Sequence, residues 1–288
     1  MPKNVKLAKF AGFCYGVKRA VETAKKLKTE NPDKEVFVLG ELIHNTDVIN
    51  ELELMGIRTI DEIPSTGNGI CVVRSHGETP ETIEKIKKAG FELVDLTCPD
   101  VKKVQQTAIE LAKAGYFLVI VGKAEHPEVI GINANARQWS EDVVVASTVE
   151  QLKTFEHKIK YHKRVGIVVQ TTQMLKTLNP IVEYLTSISK ELRIANTICK
   201  STAMRQAEAK ELANESDLIV VVGSKKSANT THLAEILKNI TNTIHIENDF
   251  ELNNYKDIIE NSEKISITAG ASTPQAVIEK VVNKINDL

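Results

Sequence analysis

The sequence has 288 residues, 42% hydrophobic and 26% charged, a composition of ordinary globular domains with room for one to three compact units. Its 37 basic and 38 acidic side chains leave a formal net charge of −1, without the basic excess of a nucleic-acid binder. The longest apolar runs, such as Leu218 to Val222, have strand length and fall far short of a membrane span, and Met1 to Phe10 holds no apolar stretch of signal-peptide length, so the chain is expected to be cytoplasmic and away from membranes.

In chain order, a short apolar stretch leads to Cys14, after which Val17, Ala20, Val21 and Ala24 recur at helical spacing. The β-rich run VFVLG ends at Gly40. A polar loop and further segment follow in ELIHNTDVINEL, then a short strand, IRTID. An apolar strand in GICVVRSHGETPETI ends in small polar residues before a final helix. The same order repeats from LVDLTCPDVKKV, through FLVIVG at Gly122, KAEHPEVIGINANA, VVVAS and VGIVVQTTQMLKTL. Pro99, directly after Cys98, suits the first turn of a helix. The order returns a third time from RIANTICKSTAM, through LIVVVG at Gly223, SKKSANTTHLAEIL, TIHIE and ISITAGASTPQAVI.

The segments run from about Lys6 to Ala89, Leu93 to Ser187 and Arg193 to Leu288, which sets expected units of 1–97, 98–192 and 193–288. Their landmarks move in step. Gly122 and Gly223, and Thr171 and Ser272, lie as far apart as Cys98 and Cys199. Strands alternating with helices predict an α/β fold with mostly parallel sheets, and continuous apolar runs predict strands covered on both faces. Functional loops then gather at the carboxyl ends of the strands, where each cysteine, each loop after a glycine and each set of small polar residues falls.

Four cysteines in a chain of this length do not suggest a disulfide framework. Cys14, Cys98 and Cys199 hold one repeat position each, before a helix whose N-terminus favours thiolate. Cys71 lies inside an apolar run at no repeat position and reads as a core residue. Three converging thiols admit an iron–sulfur cluster, a zinc ion or no metal at all; zinc prefers four closed ligands, often in close pairs that are missing here. The remaining loops offer His44 and His76, then His126, Glu128 and Thr171, then Ser227, Asn229 and Ser272. Each residue alone is as readily a cap or a surface group. Together they form a set of donors suited to an anion, with Glu128 as its one carboxylate and natural acid. Neither a Walker-type lysine loop nor a dinucleotide fingerprint is present.

The motifs GFCYGV, the HN of GELIHNTDV, the SHG of RSHG, TCP, HPEV, QTT, ICKST, GSKKSANT and TAGAS span essentially the whole chain. In combination they resemble the LytB/IspH family of 4-hydroxy-3-methylbut-2-enyl diphosphate reductases, which close the non-mevalonate isoprenoid pathway. The resemblance implies three α/β domains in a trefoil around a central [4Fe–4S] cluster held by Cys14, Cys98 and Cys199. It implies a diphosphate site of His44, His76, His126, Ser227, Asn229 and Ser272, with Glu128 as proton donor and Thr171 as its partner near the substrate hydroxyl. At one matching position a second serine is usual and Ala228 stands here, so a hydroxyl contact is lost while the backbone amide remains. The implied reaction is reductive dehydroxylation to isopentenyl or dimethylallyl diphosphate, with electrons from ferredoxin, flavodoxin or a related carrier. A non-catalytic iron–sulfur or zinc protein that senses redox state or carries electrons would explain the cysteines but not the His, Ser, Asn and Glu set.

Overall fold

A computed structural model describes residues 4–287. The first segment runs β1 (Asn4–Leu7), α1 (Tyr15–Glu30), β2 (Val36–Leu39), α2 (Thr46–Leu54), β3 (Ile57–Ile60), β4 (Ile70–Val73), α3 (Pro80–Lys88) and β5 (Glu92–Asp95). The second runs α4 (Pro99–Lys113), β6 (Phe117–Val121), α5 (Pro127–Arg137), β7 (Val143–Ala146), α6 (Val149–Lys153), α7 (Glu156–His162), β8 (Arg164–Val169), α8 (Leu175–Ile188) and β9 (Glu191–Ile194). The third runs α9 (Lys200–Asn214), β10 (Leu218–Val222), α10 (Ala228–Leu237), β11 (Asn242–Ile246), a short 3₁₀ turn (Asp249–Tyr255), α11 (Lys256–Glu260), β12 (Lys264–Ala269) and α12 (Gln275–Asn286).

These strands form three four-stranded sheets in the orders β3-β2-β4-β5, β7-β6-β8-β9 and β11-β10-β12-β1. Every pairing between them is parallel. The three orders are equivalent once β1 is set against β5 and β9. In the first two sheets the crossover helix α3 or α8 returns the chain to the sheet edge, and the next strand pairs there. No described strand follows α12, and β1 takes that edge, with Asn4 opposite Lys264. The strand that precedes Cys98 or Cys199 is therefore paired in the sheet of the preceding segment, and the strand that precedes Cys14 in the third sheet.

The apolar runs are strands with two buried faces. Along β6, Phe117, Val119 and Val121 enter one core with Leu178, Ile181 and Leu185 of α8. Leu118 and Ile120 enter the opposite core with Val104, Ala108 and Leu111 of α4. Along β10 the same alternation splits Leu218, Val220 and Val222 from Ile219 and Val221. Side chains alternate across a strand, so an unbroken apolar run is required wherever helices cover both faces. Cys71 on β4 is fully buried in this manner with Phe37, Val73 and Phe91. Burial, helped by the nearby Glu78 charge, pushes its thiol up to about 11, so it is an inert core side chain as the sequence suggests.

Two compact units emerge from the packing. One holds the third sheet, the Cys14 segment through Val21, the stretch Ile43–Leu54 and the chain from Cys199 onward. The other holds Glu22–Leu42 and Met55–Ile198, with the first and second sheets. Among the described residues no helix is long and apolar enough to cross a membrane.

Candidate functional site

In the unit that carries the third sheet, Cys14 and Cys199 both stand at helix starts. The Cys14 amide donates to the Ala271 carbonyl at 3.1 Å, and its Sγ accepts the Val17 N–H at 3.5 Å. Cys199 caps α9: its Sγ accepts the Thr202 N–H at 3.3 Å and lies 3.0 Å from the Thr202 hydroxyl. Both sulfurs thus sit where unpaired helix N–H groups favour negative charge.

The same unit gathers His44, Ser227, Ala228, Asn229 and Ser272. Ser227 occupies the N-cap position of α10 without using its hydroxyl as a cap. Ala228 and Asn229 form the first turn of that helix, whose amides point toward a ready anion site. The Asn229 side chain is 5% exposed, and its Nδ2 donor has no partner. A buried amide left unbonded costs about 1–3 kcal/mol, so this donor fits a bound acceptor. The Ser272 hydroxyl donates to the His44 carbonyl at 3.2 Å, joining the turn after β12 to the turn before α2. Close backbone approach requires Gly270 in that turn: an added Cβ would lie 1.9 Å from the Thr230 hydroxyl oxygen on α10.

The second unit carries Cys98, His76, His126, Glu128 and Thr171. Cys98 is the N-cap of α4 and its amide donates to the Ser75 carbonyl at 2.9 Å, which ties it to the turn that presents His76. The His76 and His126 rings meet edge to face at 5.5 Å. His126 caps α5, and its Nδ1 accepts the Glu128 N–H at 3.2 Å. In the neutral ring that bond leaves the proton on Nε2, which makes Nε2 a donor.

Glu128, one residue into α5, is 1% exposed. Its Oε1 accepts the Thr171 N–H and its Oε2 the Thr171 hydroxyl, both at 2.7 Å. Burial pushes the carboxyl up to about 7; the two Thr171 hydrogen bonds pull against that shift, and the Asp100 charge adds to it. A buried acid tuned to neutral pH is suited to proton donation.

That tuning carries a stability consequence. With the folded pKa raised above the unfolded one, the native protein holds its proton more tightly, and this contribution is complete below pH 4.5 and lost as pH rises through about 7. The Glu128→Gln apoprotein, fixed in a neutral form, should therefore be more stable than wild type at pH 8 by at most about 3 kcal/mol. The two should converge toward pH 4.5, as read by urea denaturation across the series. A constant gap would mean that the carboxyl is not titrating in that window.

The sequence reading passed over Arg205 and Glu208 on α9. The Arg205 guanidinium donates to the Phe10, Ala269 and Gly12 carbonyls. Burial pushes its pKa down, while the neighbouring Cys14 and Cys199 thiols and Glu208 favour its charge. A signal existed: Cys199, Thr202, Arg205 and Ala209 recur at helical spacing on one face, and a charged residue on an otherwise buried face invites a search for its partners.

These observations define a class: an all-parallel α/β protein built on a threefold-repeated sheet, with one cysteine at a helix start per repeat and a buried carboxylic acid. A family model described as LytB protein matches residues 5–286. The 4-hydroxy-3-methylbut-2-enyl diphosphate reductase of Geobacter sulfurreducens is 40% identical over 285 residues, covering 99% of this chain and 97% of that protein. Its counterpart in Aquifex aeolicus is 38% identical, with 99% and 96% covered. A Clostridium tetani protein of the same name is 41% identical over 99% of this chain, which spans 44% of that longer protein. Among solved structures, one of (E)-4-hydroxy-3-methyl-but-2-enyl diphosphate reductase, described as the terminal enzyme of the non-mevalonate pathway, aligns with a TM-score of 0.74 at 36% identity. The alignment covers 99% of this chain and all of that one. The E-1-hydroxy-2-methyl-but-2-enyl-4-diphosphate reductase of Plasmodium falciparum aligns with a TM-score of 0.89 at 28% identity, covering 98% and 88%. The chain belongs to the LytB family.

Proposed function

We propose that this chain catalyses the reductive dehydroxylation of 4-hydroxy-3-methylbut-2-enyl diphosphate to isopentenyl and dimethylallyl diphosphate. The observation that carries the reading is the buried Glu128 carboxyl held by Thr171 in a chain related over its whole length to such reductases. A positioned proton donor serves bond-breaking chemistry, which simple electron transfer does not require.

Cys14, Cys98 and Cys199 fit a [4Fe–4S] cluster by the chemistry of the donor set. None is in a disulfide, each stands at a helix start, and the fourth cysteine is locked in the core. Three thiolates leave one of four irons without a protein ligand. Such a cluster, when bound, would deliver electrons and provide a Lewis-acidic iron for the substrate hydroxyl.

The chain's own residues then divide the work. The Asn229 amide, the α10 N-terminal N–H groups including that of Ala228, and the Ser227 and Ser272 hydroxyls hold the diphosphate, with His44, His76 and His126 as further donors. The loss of a hydroxyl at Ala228 leaves the helix amide to make that contact. Thr171 orients Glu128, which gives up its proton to the reacting substrate. Two electrons per turnover come from a soluble carrier such as ferredoxin or flavodoxin, which places the reaction in the cytoplasm.

Anaerobic purification with an absorption spectrum, iron, sulfide and zinc assays, and turnover with a reduced donor tests the proposal. A brown iron–sulfur protein that converts the allylic diphosphate is expected. Zinc in place of iron, or no turnover by an iron-loaded protein, would overturn it. Asn229→Ala should raise KM about 10-fold, the worth of one good hydrogen bond to a charged group, with a smaller effect on kcat. An unchanged KM would remove Asn229 from the diphosphate site.

A further inference from the structure

On helix α9, the charged side chains of Arg205 and Glu208 have no part in the proposed reaction. Arg205 is 3% exposed. Its Nη1 donates to the Phe10 carbonyl and, at 2.7 Å, to that of Ala269; its Nη2 donates to Gly12 at 2.9 Å. One turn further on, the Glu208 carboxylate accepts the N–H groups of Lys9 at 2.7 Å and Phe10 at 2.9 Å. Phe10 is thus gripped at both its N–H and its C=O by one helix. The strap from Lys9 to Gly12 leads directly into Cys14, and Cys199 caps the helix that grips it.

Desolvating a guanidinium costs several kcal/mol unless the site returns it, and apolar packing could have joined a loop to a helix more cheaply. Three carbonyls from two turns suit the planar fork of arginine, whose N–H donors have fixed directions. The groups that favour its charge include both thiols of this unit, Cys14 and Cys199, together with Glu208.

We propose that Arg205, braced by Glu208, is the positioning residue of the thiol pair: it fixes the Cys14 loop against the Cys199 helix and buries a positive charge where that loop and helix meet. The proposal rests on the reading that these cysteines hold a cluster. Two effects follow. Loss of the fork should let the Cys14 loop move, and the cluster should be released more readily. Loss of the charge should disfavour the more negative, reduced cluster, and the midpoint potential should fall.

The test compares anaerobically reconstituted wild type with Arg205→Lys, Arg205→Met and Glu208→Gln. Readouts are iron and sulfide per chain, the rate of iron loss to a chelator, the midpoint potential and the circular dichroism of the apoproteins. Arg205→Lys keeps the charge but not the fork, so it should lose iron several-fold faster at a near-normal potential. Arg205→Met should lose iron faster still and shift the potential negative. Glu208→Gln removes a negative charge and should shift the potential the opposite way. Variants that melt earlier yet match wild type in iron loss and potential would reduce Arg205 to a structural brace and overturn the proposal. If Arg205→Met does not fold, wild-type iron retention in Arg205→Lys overturns it equally. A wild type that takes up no iron sinks the proposed function instead, a result visible before any variant is measured.

Discussion

Glu128→Gln should retain its cluster and bind substrate near normally while kcat falls about 10²- to 10⁴-fold, the usual contribution of a positioned general acid. The amide is nearly isosteric and can still accept a hydrogen bond from Thr171, so the geometry of the α5 start is kept. It has no acidic proton to give. The carboxyl is pushed up to about 7 by burial, so wild-type turnover should decline on the alkaline side with an apparent pKa near that value, as the acid loses its proton. The residual activity of Glu128→Gln should lack this limb. Single-turnover measurements on iron-loaded protein separate the chemical step from donor supply. Turnover near wild type, or an alkaline limb that persists unchanged, would assign the proton to another group.

Cys98→Ser should lose most of its iron and its turnover, whereas Cys71→Ser should keep both and lose only stability. Cys98 stands at the start of α4, half-buried, with no capping bond from its sulfur. A serine there presents a poorer ligand for iron and leaves two thiolates. Cys71 is fully buried on β4, where a serine hydroxyl costs about 1–3 kcal/mol if it finds no partner. Iron assays and thermal melts on the two variants read the contrast. Equal loss of iron in both would break the assignment of ligands by repeat position. The asymmetry matters because the two cysteines cannot be told apart by residue type, only by repeat position and by what covers them.

Much of this architecture was legible along the chain. Hydrophobic alternation and helical spacing are local, so VFVLG, FLVIVG and LIVVVG read as strands and the stretches after each cysteine as helices. The threefold order of events then placed Cys14, Cys98 and Cys199 at equivalent strand-to-helix turns, and the structure puts each at a helix start. Cys71 could be set apart because it lies inside an apolar run at no repeat position, and it is fully buried on β4.

Contacts between distant residues were not legible. Periodicity marks β1 as a strand but cannot say that it pairs with β12, at the far end of the chain, because edge pairing depends on which edge the crossover helices leave open. Motif spacing nominated Glu128 and Thr171 separately; the resemblance implied their pairing, and the fold supplies the hydrogen bonds across 43 residues. The proton affinity of Glu128 is likewise tertiary, since it comes from the exclusion of water by packed neighbours. No motif marks Arg205, and only the fold brings the Phe10, Gly12 and Ala269 carbonyls to it. The sequence by itself determined the repeat, its elements and the residue types at each strand end, because backbone geometry and side-chain alternation act over a few residues. Tertiary structure alone decided strand partners, burial and charge state, because these depend on what the rest of the chain brings against each residue.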